Sequence, residues 1–342
     1  MYEVFRKTLI ISICLVLSKA LHLNVGVFMV IYSIVIATTC YSKHIWVMMQ
    51  RLLPTLLTAF GAILINQLFS SHPFIIWTLS VIYFDHIRKL VDNSIKAKRA
   101  IMPLFIIIFI NTYSISAELH MRVPEFFRDM VFSMLCVCMV ASFVNHVMPI
   151  KARPAIPVIT PLPVTGADRL KMLILVGGGL AFLMTNEVTS ATFVLVPVLT
   201  SILQPSHRLM KKQARNRLLT QVGGCCTAMV CSMVYAGTQV NLLTFSLLSF
   251  SLVFLLLRWC NHPDPEKRNI HADAMMGILV PYQLYIGKYG NDFGFVDITL
   301  RAFELLVALL IVYLIADKLE KKDLGNNNEE NRKVIALLRK SD

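Results

Sequence analysis

Asp85 and His86 stand side by side, with Arg88 just behind them, deep in an apolar run from 74 to 91. An acid and an imidazole at membrane depth are suited to taking up and releasing a proton. Each ionisable group costs a few kcal/mol in a bilayer core and is retained there mainly where it is used. Asp85 also fits a second role, at the end of a helix and paired with interfacial bases. A further acid, Glu304, follows Arg301 by one turn in the last apolar run. That spacing puts both on one helix face, which suits a structural ion pair as well as a third proton-coupling position.

Other residues suit an organic anion. Lys19 lies near the outer end of the first run, where it can snorkel to the interface or attract an anion. Arg51 and Arg217 begin their runs at related positions, as topology signals or as receivers of an anionic substrate from the cytoplasm. Tyr282, Gln283 and Tyr285 follow Pro281 in a run that also holds Gly277 and Gly287. A helix broken there, with aromatic and amide groups at the break, suits an aromatic carboxylate. Tyr285 and Tyr289 fit interfacial anchors equally well. Asn66, Gln67, Asn111, Asn145 and His146 are suited to hydrogen bonds between helices.

Several chemistries have no carrier. The chain has no Gly-x-x-x-x-Gly-Lys-Ser/Thr loop, no His-Glu-x-x-His and no nucleophile elbow, so it reads as neither an ATPase nor another enzyme. The eight cysteines lie in or beside apolar runs without the spacing of a zinc site, so no metal and no cofactor is expected. The net charge of +13 sits in short loops rather than on a basic face interleaved with aromatics, which argues against nucleic acid.

The elements that position these residues are apolar and long. The 342 residues are 56% apolar and 15% charged, with a mean hydropathy of +0.65, so most helices lack a polar face. The runs predict an all-α polytopic membrane protein with about twelve spans. These are 8–22, 25–40, 52–69, 74–91, 101–117 and 129–148, then 171–185, 188–203, 216–236, 239–257, 273–289 and 298–316. The first two spans of each half are short enough to form a tight hairpin or a partly re-entrant segment. With both termini in the cytoplasm, all of the 33 Lys and Arg except Lys19, Arg122, Arg128, Lys288 and Arg301 fall on the cytoplasmic side.

The halves echo one another. Phe28, Arg51 and the apolar stretch between them recur in outline as Phe193, Arg217 and the stretch between those. Six helices per half imply parallel repeats about an axis along the membrane normal. The expected organisation is a first repeat over 1–148, a proline-rich cytoplasmic linker over 149–170, a second repeat over 171–316 and a charged cytoplasmic tail over 317–342. A short helix is expected from Glu329 to Arg339, after a break at Asn326-Asn327-Asn328.

One stretch carries a family likeness. Phe193-Val194-Leu195-Val196-Pro197 and Leu203-Gln204-Pro205-Ser206 lead through a basic stretch to Arg217-Leu218-Leu219-Thr220-Gln221-Val222-Gly223-Gly224. This resembles the central pattern of the fusaric acid resistance (FUSC) and aromatic acid exporter superfamily. There a helix ends in a Gln-Pro-type turn and the next begins with Arg, followed by Gly and Thr. Tyr32-Ser33 and Arg51 are similar to it more loosely. Thr220 lacks the preceding glycine, and the linker stands where longer members carry a cytoplasmic domain. The chain thus resembles a short, membrane-only branch of unknown function.

The resemblance implies export of small, often aromatic, organic acids from the bacterial inner membrane. It also implies a periplasmic membrane-fusion adaptor and an outer-membrane channel as partners. Proton-driven efflux is the leading expectation. An uncoupled anion channel or permease, and a non-transporting membrane scaffold, stay open beside it, as does a homo-oligomer.

Overall fold

The structure, a computed structural model, describes residues 1–116, 119–151, 161, 164–187, 189–204, 206–236, 241–286 and 294–338, with 322–338 by backbone alone. Among the described residues twelve helical segments follow in order. In the first half they are α1 (Tyr2–Ala20), α2 (Val27–Thr39), α3 (Ile45–Leu68), α4 (Pro73–Leu90), α5 (Ser94–Ile115) and α6 (Val123–Val147). In the second half they are α7 (166–186), α8 (190–202), α9 (His207–Ala236), α10 (Leu242–Cys260), α11 (Pro265–Tyr285) and α12 (Phe295–Leu338).

Local chemistry starts several of these helices. The Asn93 side chain accepts from the Ile95 and Lys96 amides to cap α5, and Thr165 and Asp168 form a reciprocal capping box on α7. Asn241 and Thr244 do the same for α10. Proline occupies the first turn of α4, α6 and α11, where its missing N–H costs nothing.

The fold is all-helical, and α3, α6, α9, α10 and α12 are each long and apolar enough to cross a membrane. Leu53, Leu57, Phe60, Leu64 and Leu68 recur at helical spacing along α3 and all are exposed. Asn66, Ser80 and Asn111 are buried instead. Apolar surface outside and polar groups paired inside is the arrangement a bilayer requires.

Helices α2 and α8 differ from the rest. Helix α2 has 13 residues, and α8 joins a 3-10 turn of 5 to an α segment of 8. At 1.5 Å per residue such a helix reaches only about 20 Å, short of a ~30 Å core. Almost all of their side chains are buried, so both are packed inside a jacket of longer helices. Phe28 of α2 lies against Phe109 of α5 at 5.3 Å, and Phe193 of α8 lies against Phe105 and Phe109 at 5.2 and 5.8 Å. The two echoing phenylalanines therefore meet on one aromatic column.

Packing in the halves follows the same order. Helix α3 packs on α5 and α6 as α9 packs on α11 and α12, and α2 packs on α6 as α8 packs on α12. Across the halves, α1 meets α10 as α7 meets α4, and α2 meets α11 as α8 meets α5. The first turns match too. Arg6 is fully buried against Glu3 at 2.7 Å, and Lys171 is buried against Asp168 at 3.0 Å. The two pairs are related by the same offset that relates Phe28 to Phe193. Arg6 also donates to Asn145, whose amide donates to the Ser42 carbonyl at 3.0 Å, tying together α1, α6 and the loop before α3.

Two features bring helices unusually close. A Cβ on Gly224 of α9 would stand 2.4 Å from the Gly277 carbonyl carbon of α11, so the backbones touch there. In α7, residues Leu173–Gly177 form a π turn, and the Gly177 carbonyl accepts from the Trp77 indole of α4 at 2.9 Å.

Some boundaries differ from expectation. Helices α1 and α9 begin well before their apolar runs, because their first turns pair with side chains from other elements. The last helix continues unbroken through Asn326-Asn327-Asn328 to Leu338, since extending an existing helix avoids the cost of nucleation. Gly166–Leu170, assigned by sequence to the linker, is the first turn of α7; most of the linker lies outside the described residues.

Candidate functional site

Arg301 sits two turns into α12 and is only 4% exposed. Its guanidinium carbon lies 5.6 Å from the centre of the Phe193 ring, at the end of the aromatic column. Nε and Nη1 meet no acceptor. The Tyr285 hydroxyl and the Cys225 thiol are within its reach, and Tyr113, tilted against Phe109 at 4.3 Å, lies in its field. A cation–π contact offsets up to about 2 kcal/mol of a guanidinium's burial, well below the several kcal/mol that burying the charge costs. That contact leaves part of the burial cost uncompensated. The i, i+3 spacing to Glu304 had suggested an ion pair; the guanidinium turns to Phe193 of α8 instead.

The other expected substrate residues divide between structural roles and this neighbourhood. Lys19 donates to the carbonyls of Gln283 and Ile286, at 3.1 and 2.5 Å, and so caps the end of α11. The Gln283 amide donates to Ser18 at 2.5 Å. The Tyr282 hydroxyl is held 2.6 Å from Tyr235 and 2.8 Å from Ser249. Tyr285 alone of the three faces Arg301. Helix α11 does not break at Pro281 but runs on to Tyr285.

The two related arginines have unlike surroundings. Arg51 is exposed. Arg217 is largely buried and donates to Asp273 of α11 at 2.7 Å, while Gln213 and Gln221 hold the same residue at 3.1 and 3.0 Å. Sequence reasoning assigned neither Asp273 nor Arg301 to these sites. A signal for Arg301 was present: it stands inside an apolar run on the side poor in Lys and Arg.

Asp85 is engaged on both oxygens. Arg169 of α7 donates through Nε at 2.6 Å and Nη2 at 2.8 Å, and Lys89 adds a contact at 2.9 Å. Beside this pair, Arg88 is buried 3.8 Å from Asp168. The end of α4 and the start of α7 thus form one ionic latch between the halves. His86, next along α4, is exposed and takes no part in this latch. Reversing the pair (Asp85→Arg with Arg169→Asp) is expected to restore the thermal stability that either single change removes. A double change no more stable than the worse single would dismiss the latch. Glu304 is half-buried one turn beyond Arg301 and within the field of Tyr285, which brings it to the Arg301 site.

Among the described residues no cluster of His, Cys, Asp or Glu is arranged to hold a metal ion. Residues 3–144, from α1 to α6, match a family described as a protein of unknown function (DUF2955). Neither the curated proteins nor the solved structures contain a match to the chain.

Proposed function

We propose that this chain is an inner-membrane secondary transporter that exports small organic acids, aromatic carboxylates foremost, at the expense of the proton gradient. The observation that carries the reading is Arg301: a buried guanidinium in a long apolar helix, with Nε and Nη1 unmet and an aromatic face beside it. A carboxylate on a ring satisfies both features, through a charge-assisted hydrogen bond to the guanidinium and stacking in the aromatic column. The likeness of the α8–α9 stretch to the aromatic acid exporter pattern favours the same substrate class, and it brings a periplasmic adaptor as the expected partner.

Glu304 is the acid best sited for coupling. It stands one turn from Arg301 and within the field of Tyr285, and it is the acid we assign to linking anion exit to proton entry. Asp85 holds the latch between α4 and α7 rather than carrying the proton, and His86 lies outside both groups. The mirrored packing of the halves supports two six-helix repeats over 1–148 and 171–316, with both termini cytoplasmic.

The test is flux of 4-hydroxybenzoate from liposomes holding the purified protein, with and without an imposed pH gradient. Gradient-dependent flux that disappears in Arg301→Gln is expected. Gradient-independent flux would instead indicate an uncoupled anion channel. Absence of flux for this and other aromatic acids would leave the scaffold reading.

A further inference from the structure

We infer that a cavity among α3, α4 and α5 is a second binding site, for an uncharged ring-sized molecule bearing a hydroxyl, of the phenol class. The argument rests on a comparison of the halves. In the second, one residue from each of α9, α10 and α11 joins a buried network: Tyr235, Ser249 and Tyr282, with Phe245 stacked 5.7 Å from Tyr282. In the first, α3, α4 and α5 supply Asn66, Ser80 and Asn111. Asn111 donates to Ser80 at 2.6 Å and Asn66 donates to Asn111 at 2.6 Å. The two serines occupy the same position in their helices, and the outer members lie within the last turns of theirs.

The difference lies in bulk. Two phenols in one half are replaced by two short amides in the other, and beside those amides lies a cavity of about 260 Å³. Thr58, Gly61, Tyr83 and Ile107 line it together with Ser80 and Asn111. Aromatic rings with hydroxyls fill the matching region of the second half, so a ring with a hydroxyl is what the first half is shaped to receive. The walls provide for it: the Thr58 and Tyr83 hydroxyls stand 3.2 Å apart and line the cavity beside Ser80 and Asn111. No Lys, Arg, Asp or Glu lines the cavity, so an ion entering it would lose its hydration without a partner. Leu57, 62% exposed at its edge, marks an opening on the outer apolar surface, where uncharged phenols concentrate.

The probe is 1-naphthol, measured by equilibrium dialysis against the full-length protein in lipid nanodiscs, with empty discs subtracted. Gly61→Leu is the blocking variant, because a Cβ there meets nothing within 4 Å and the longer side chain has the cavity to enter. Asn111→Tyr, which installs the second half's residue, is an independent block. Saturable binding to the wild type, at least tenfold weaker in both variants and unchanged in Arg301→Gln, is expected. Equal binding in Gly61→Leu, or no saturable binding above empty discs, would overturn the site. Loss in Arg301→Gln alone would assign the naphthol to the anion site. The charged analogue 1-naphthoate should leave the cavity empty; its displacement of naphthol in Arg301→Gln would also count against the proposal.

Discussion

Replacing Gly224 by valine prevents α9 from seating on α11, and the purified protein loses its cooperative thermal transition in detergent. The added Cβ would lie 2.4 Å from the Gly277 carbonyl carbon, 2.5 Å from its oxygen and 2.9 Å from the Ile278 nitrogen. All three are backbone atoms, so no rotamer change relieves the overlap and one helix must shift away. Overpacking of a well-packed core typically costs 1–3 kcal/mol, and a backbone collision lies at or above that range. Against a total stability on the order of 5–15 kcal/mol, such a loss is decisive. Pro281 contributes at the same crossing: lacking an N–H, it leaves the Gly277 carbonyl outside the helical ladder. Gly223→Ala is the matched control. A Cβ there meets nothing within 4 Å, and the variant should melt at or slightly above the wild-type temperature. Identical melting of Gly224→Val and wild type would refute the close crossing.

Arg301→Gln separates a structural arginine from a ligand-binding one. If Arg301 served the fold through an ion pair, removing its charge would destabilise the protein, because a buried partner would be stranded. With Nε and Nη1 unmet, glutamine instead relieves an uncompensated charge, and the melting temperature should hold or rise. Flux of 4-hydroxybenzoate should fall at least tenfold, the equivalent of about 1.4 kcal/mol of lost binding. Arg301→Lys keeps the charge but loses the planar fork and its stacking on Phe193, and an intermediate flux is expected. A variant that melts early yet transports normally would move Arg301 from the site to the scaffold.

The helical class and the order of the segments could be read from the apolar runs, because a bilayer requires each run to be long. The buried positions of α2 and α8 were foreshadowed by their shortness, but their enclosure follows from packing among helices far apart in the chain. Local spacing misled at Arg301. Its neighbour by pattern is Glu304, three residues away, while the ring it covers, Phe193, belongs to another helix. Asp85 is similar: its nearest bases in sequence are Arg88 and Lys89, yet the bidentate partner is Arg169, across the linker. Asp273 gave no sign in sequence, since nothing local links it to Arg217. The common cause is that charged residues at helix ends choose partners by helix packing.

The π turn in α7 makes the two seams between the halves unlike. Helix α1, at the corresponding place in the first half, is a regular helix, although as many residues separate Glu3 from His22 as separate Asp168 from Glu187, the positive-φ residues just past the two helix ends. The wide turn gives the Trp77 indole a partner in the Gly177 carbonyl. A change of winding at constant length has therefore become a specific fastening between α4 and α7, and it makes the two otherwise similar seams mechanically distinct.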